Sequence, residues 1–195
     1  NLTARSIGKK QKRRSKKLKR PRTGRLQPPR HRHLRPALHP CRACTTVPDL
    51  RVESMGQVRK EIEPLLLAHY DEIALHKESI KLDVDWGKYE GLERNNALRV
   101  FTARDEGRLI GYSVFFLVWH PHYKSSLFAQ NDVLYLSPEH RKGTAGIRLI
   151  DFSELRLRAD GVLKVIWHVK CENDWSPILE RKGYRKEEVI MAKVL

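Results

Sequence analysis

The chain has 195 residues, 40% of them hydrophobic, enough for one domain with a proper core plus additional material. Its formal net charge of +16 is unevenly placed: residues 1–54 hold 17 Lys or Arg against Asp49 and Glu53, whereas the other 141 residues hold 22 basic and 21 acidic side chains. The basicity therefore belongs to the N-terminal segment and says nothing about the partner of the rest. With no apolar run of 18 residues, no secretory apolar stretch and three cysteines that give no disulfide framework, the expectation is a soluble cytoplasmic protein without membrane association.

Residues 1–54 are rich in Arg, Lys, Pro and His and lack a periodic apolar face, so they bury too little surface to offset the entropy of ordering. The expected organisation is a disordered basic tail over 1–54, separable from a globular domain over 55–195 that starts at Met55. The run from Lys9 to Arg20 is a candidate nucleic-acid contact, with a solvated, unselective polyanion-binding tail as the alternative. Cys41 and Cys44 have the spacing of half a zinc site, but no second pair of ligands follows.

Beyond Met55 the pattern changes. Val58, Ile62, Leu65, His69 and Ile73 fall at helical spacing, and Pro64, suited to a first helical turn, predicts the strongest helix from Pro64 to about Leu75. A second helix is expected over about Val84 to Arg94, with Trp86, Tyr89 and Leu92 on one side. Leu98 to Ala103 and Leu109 to Trp119 read as strands joined by the turn Asp105-Glu106-Gly107-Arg108, an antiparallel hairpin. His120-Pro121-His122-Tyr123-Lys124 reads as a polar loop. Leu127 to Leu136 is the next strand, Gly143 to about Ala159 a helix ended by Asp160-Gly161, and Val162 to Cys171 an alternating strand. Strand, helix and strand at this spacing make a right-handed parallel βαβ unit. A short helix over Asn173 to Lys182 and an alternating strand over Glu188 to Val194 complete the chain.

The chemistry concentrates where the strand ending at Leu136 passes through Pro138 into Arg141-Lys142-Gly143-Thr144-Ala145-Gly146 and then a helix. The first turn of a helix carries unpaired N–H groups and the positive end of the peptide dipoles, so an anion docks there. Gly143 and Gly146 allow close backbone approach, and Arg141 and Lys142 add charge.

This order of elements, with Leu134 to Gly146 as its sharpest part, resembles the GCN5-related N-acetyltransferase (GNAT) superfamily over about residues 56–195. The resemblance implies a mixed α/β fold: a largely antiparallel sheet with a central parallel βαβ unit, flanked by helices. It implies an enzyme that transfers the acetyl group of acetyl-coenzyme A to a primary amine of unspecified identity. Arg141, Thr144 and Gly146 fall on the family's Arg-x-x-Gly-x-Gly positions, so Thr144 replaces the first glycine while Gly143 stands one place earlier. By resemblance the loop from Arg141 to Gly146, including Lys142 and Ala145, holds the pyrophosphate. The strand backbone at Leu134 and Leu136 faces the pantetheine arm, and Asn173 contacts coenzyme A. Leu179 stands where the family commonly has a Tyr acid, four residues before the helix-ending Gly183. The wording of the loop is also similar to that of bacteriophage-encoded members.

Attack by an amine on a thioester needs a base for the amine, a backbone N–H at the carbonyl and a stabilised thiolate. Asp132, on the strand beside the loop, is the first candidate base. Tyr184, Tyr135, Cys171 and His168 are candidate proton donors. The competing expectation is a GNAT-like binding protein without catalysis, its basic tail gripping nucleic acid or a larger assembly.

Overall fold

The computed structural model describes residues 47–195, and five strands lie in one sheet in the order β1-β2-β3-β4-β5. These are β1 (Asp49–Val52), β2 (Leu98–Asp105), β3 (Arg108–Trp119), β4 (Leu127–Leu136) and β5 (Lys164–Ile166). Neighbours are antiparallel except β4 and β5, which run parallel. The helices are α1 (Met55–Ile73), α2 (Trp86–Arg94), α3 (Ala145–Ala159) and α4 (Ser176–Arg181). The tail features from Lys9 to Arg20 and at Cys41 and Cys44 lie outside the described residues.

Strand alternation divides the core into two layers. Val100, Tyr112, Val114 and Tyr135 meet Met55, Val58 and Ile62 of α1, with Trp86 and Tyr89 of α2 packed against them. Phe101, Phe115, Ala129 and Leu136 face the other way and meet Leu149 and Leu157 of α3. The fold is the expected mixed α/β arrangement. β4, α3 and β5 form the parallel unit, with β5 as the last strand of the sheet.

Five elements differ from expectation. The first helix begins at Met55 rather than near Pro64, because Ser54 and Gln57 form a reciprocal capping box: Ser54 Oγ accepts from Gln57 N at 3.2 Å and Gln57 Oε1 from Ser54 N at 3.1 Å. Pro64 is carried inside the helix, where its missing N–H removes one internal bond. Residues 49–52, expected within a disordered tail, form β1 against β2. The strand expected over Val162 to Cys171 is confined to Lys164–Ile166, and Cys171–Asn173 forms a single 3₁₀ turn, so Asn173 precedes α4 rather than opening it. No strand forms over Glu188 to Val194, where Val189, Ile190 and Met191 are exposed. Alternation makes a segment compatible with a sheet but does not supply a neighbouring edge.

Candidate active site

The site starts from an irregularity in β4. Val114 pairs with Val133 and Phe115 with Asn131, so Asp132 is an extra residue that bulges from the ladder. The bulge is held from beneath by Asn131, 3% exposed, whose Nδ2 donates to the carbonyls of Val114 at 3.2 Å and Val133 at 2.9 Å. A buried amide with both N–H groups engaged makes the distortion a fixed feature.

Bulging points Asp132 toward α2, where the Tyr89 hydroxyl donates to its Oδ2 at 2.5 Å. Met55, Ile62, Trp86, Tyr112 and Val133 line a small cavity at this contact. Asp132 is open to solvent on one side, but the protein around its carboxyl pushes its pKa above the ordinary aspartate range. The Tyr89 hydrogen bond and the charge of His168 act in the opposite direction. Burial, with the Asp132 carboxylate second, raises the Tyr89 phenol, so it remains a donor. The buried Tyr112 hydroxyl has no hydrogen-bond partner among the described residues.

Next to Asp132 the sheet opens. β5 pairs with β4 only through Phe128↔Lys164, Ala129↔Val165 and Gln130↔Ile166. From Asn131 to Leu136, β4 is paired with β3 alone among the described strands, so its other edge carries free backbone groups. The Leu134 and Leu136 side chains join the core beneath α3, which leaves the Leu134 backbone and the Leu136 N–H at this open edge, while the Leu136 carbonyl is taken by Arg141.

The loop follows. Gly143 has φ +134°, a conformation suited to glycine, which explains why a glycine one place early is compatible with Thr144 after it. Thr144 caps α3 without a side-chain hydrogen bond, and Arg148 N is the donor to the Thr144 carbonyl, at 2.9 Å. The N–H groups of Ala145, Gly146 and Ile147 therefore stand ahead of the first helical bond at the positive end of the dipole. A Cβ at Gly146 would stand 3.7 Å from Leu136 Cδ2, an ordinary contact, so neighbour packing does not demand a glycine there. Lys142 is exposed beside this turn.

Arg141 points elsewhere. Its Nε donates to the Leu136 carbonyl at 2.7 Å, and Nη1 and Nη2 donate to the two carboxylate oxygens of Glu72 at 2.6 Å each. The guanidinium also lies 5.6 Å from the centre of the Tyr135 ring. His69, whose ring is 5.3 Å from that of Tyr135, is pushed below its ordinary 6.5, chiefly by burial.

The structure does not bring Tyr184 to Asp132: its hydroxyl donates to Glu154 of α3 at 3.1 Å. Leu179 is buried in α4, and Asn173 and Cys171 are exposed in their 3₁₀ turn. His120 and His122 meet edge to face near Tyr123 and Phe128, and no metal-binding cluster of His, Cys, Asp or Glu exists among the described residues. Sequence reasoning missed Asn131, Tyr89 as the partner of Asp132, and Glu72. The one available signal was the polar run Gln130-Asn131-Asp132 interrupting an otherwise apolar strand.

An uncapped helix start after a glycine turn and a free strand edge leading away from it suit a carrier with an anionic group and a peptide-like arm. Residues 60–180 match the acetyltransferase (GNAT) family. Similar solved structures include an aminoglycoside acetyltransferase from an uncultured soil metagenomic sample, in complex with sisomicin, at 14% identity over 76% of this chain and 97% of that one, TM-score 0.61. The ribosomal-protein-alanine N-acetyltransferase of Brucella melitensis biovar Abortus 2308 is similar at 19% identity over 75% and 99%, TM-score 0.55. A predicted acetyltransferase with acetyl-CoA from Clostridium acetobutylicum is similar at 13% identity over 75% and 96%, TM-score 0.59. At these identities the likeness is one of fold. No curated protein matches the sequence. With the family match spanning most of α1 through α4 and the sheet opening beside an uncapped helix start, the chain belongs to the acetyltransferase (GNAT) family.

Proposed function

We propose that the protein transfers an acetyl group from acetyl-coenzyme A to a primary amine, with Asp132 as the base. The observation that carries this reading is the bulge that sets Asp132 at the mouth of the free β4 edge, on the strand that leads through the glycine turn to the uncapped start of α3. Bound acetyl-coenzyme A supplies an activated acyl thioester. The N–H groups of the Gly143 to Gly146 turn bind its pyrophosphate, with Lys142 adding charge, and the Asn131–Leu136 backbone binds the arm. Tyr89 occupies Oδ2 of Asp132 and leaves Oδ1 to accept the proton of the incoming amine. A backbone N–H of the β4 edge polarises the acyl carbonyl; as the amine nitrogen forms the amide bond the C–S bond breaks, and coenzyme A leaves as a thiolate that takes its proton from solvent. Asn173, in the turn after the diverging strand, is assigned a contact to coenzyme A at the far side.

The test has two stages. Acetyl-coenzyme A should raise the melting temperature of the wild-type protein, and acetyl transfer should then be detected on a panel of polyamines, aminoglycosides and lysine peptides. Absence of binding removes the reading. Binding without transfer to any amine favours a catalytically silent binding protein.

A further inference from the structure

The side chain that the loop motif singles out for the pyrophosphate is committed within the protein. Arg141 has two donor edges and both are used: Nε faces the Leu136 carbonyl, and the Nη1/Nη2 pair grips Glu72. One face of the guanidinium is shared with the Tyr135 ring. The bidentate geometry that would favour a phosphate is thus already satisfied by a carboxylate.

Glu72 is also an anomaly of α1. It stands in the last turn, next to Ile73, where the helix dipole disfavours an acid, and no basic residue of α1 offsets it there. Arg141 supplies the compensation from a distant part of the chain and holds the Glu72 carboxyl below the ordinary glutamate range.

We propose that Glu72 is a positioning residue for the cofactor loop. It fixes Arg141 as a clamp joining the end of α1 to the end of β4, so that the turn after Arg141 presents backbone N–H groups rather than the guanidinium to the pyrophosphate. This rests on the acetyl-coenzyme A reading above. The clamp itself is a property of the ligand-free protein and is testable without the cofactor. Because Leu136 is both the last residue of β4 and the acceptor of Arg141 Nε, the clamp sets where the strand stops and the turn begins.

The experiment uses the full chain as wild type, Glu72→Gln, Arg141→Gln, the double variant, and the exchanged pair Glu72→Arg with Arg141→Glu. Melting temperature is read without ligand, and the coenzyme A dissociation constant is read by calorimetry. The expected result is a coupled cycle: each single variant melts lower, and the double variant melts no lower than the worse single one. Glu72→Gln weakens coenzyme A by about tenfold although it touches no ligand, and the exchanged pair recovers at least half of that loss on a logarithmic scale. Additive melting shifts overturn the clamp. Arg141→Gln weakening coenzyme A while Glu72→Gln leaves it unchanged overturns the positioning role and makes the guanidinium a direct ligand, as does an exchanged pair that recovers melting but not affinity. A wild-type protein that fails to bind coenzyme A while the cycle stays coupled overturns the function reading and the loop role with it, but not the clamp.

Discussion

Tyr89 and Asp132, 43 residues apart, meet through a hydrogen bond of 2.5 Å that ties α2 to the bulge of β4. The bond stabilises the ionised carboxylate against the burial that raises its pKa. Replacing Tyr89 by Phe should therefore move the acid limb of the kcat/KM profile to higher pH, because the proton leaves Asp132 less readily. Asp132→Asn should abolish that limb and lower kcat by roughly 10²–10⁴-fold. A pH profile of Tyr89→Phe that coincides with wild type would show that Asp132 does not titrate in the rate-determining step.

Arg104, 6% exposed, uses all its donors: Nε and Nη2 on Glu53, Nη1 and Nη2 on Glu61, and Nη1 also on the Gly107 carbonyl. Burial works to raise the Glu53 carboxyl, but the bonds from Arg104 and Thr102 outweigh it and hold it below 4.5. Glu61 is lowered chiefly by the Arg104 bond. Groups with depressed folded pKa values stabilise fully above their unfolded value and lose that contribution as pH falls through the folded one. Stability measured by urea should thus fall as pH drops below about 4.5. Arg104→Ala should cost about 3–5 kcal/mol at pH 7, since it strands charges in a partly buried site, and should flatten the acid dependence. A loss below 1 kcal/mol would contradict this account.

Gly111 lies opposite Leu136, where β4 ends. A Cβ there would meet the Tyr135 carbonyl oxygen and Leu136 Cδ1 at 2.7 Å each, and the carbonyl is backbone that cannot rotate away. Gly111→Ala should destabilise by about 1–3 kcal/mol, and it should weaken coenzyme A because it separates β3 from the strand end that Arg141 grips. Unchanged melting would mean that the two strands part there at little cost.

The basic segment is tested by removing residues 1–46 rather than 1–54, because the longer deletion also takes β1, Glu53 and the capping Ser54. The shorter deletion should keep the melting temperature and reduce both DNA affinity and the salt dependence of binding. If affinity and salt slope are unchanged, the segment is not the contact.

Much of this was legible because local rules coincide with the fold. Leu127–Leu136 is a strand with the expected bounds, and the glycine turn before α3 follows from composition and dihedral preference. The site is less legible because its key relations join distant positions: Tyr89 with Asp132, and Glu72 with Arg141, 69 residues apart. Spacing assigns Tyr89 to an apolar side of α2 and Glu72 to the end of α1, but it does not say which strand or loop lies opposite. Pro64 misled because one strong local signal, a proline suited to a first turn, was outweighed by the capping box at Ser54 upstream.

At Asn131 the number of strands flanking β4 falls from two to one. Backbone motion in this part of the sheet should therefore change abruptly at a single residue. Phe128 to Gln130 are braced on both sides, whereas Asn131 to Leu136 are braced on one side and pinned at the far end through Leu136. That makes the second half of β4 a span fixed at both ends and slack along one margin: compliant enough to accept another backbone beside it, yet unable to drift from its place in the sheet.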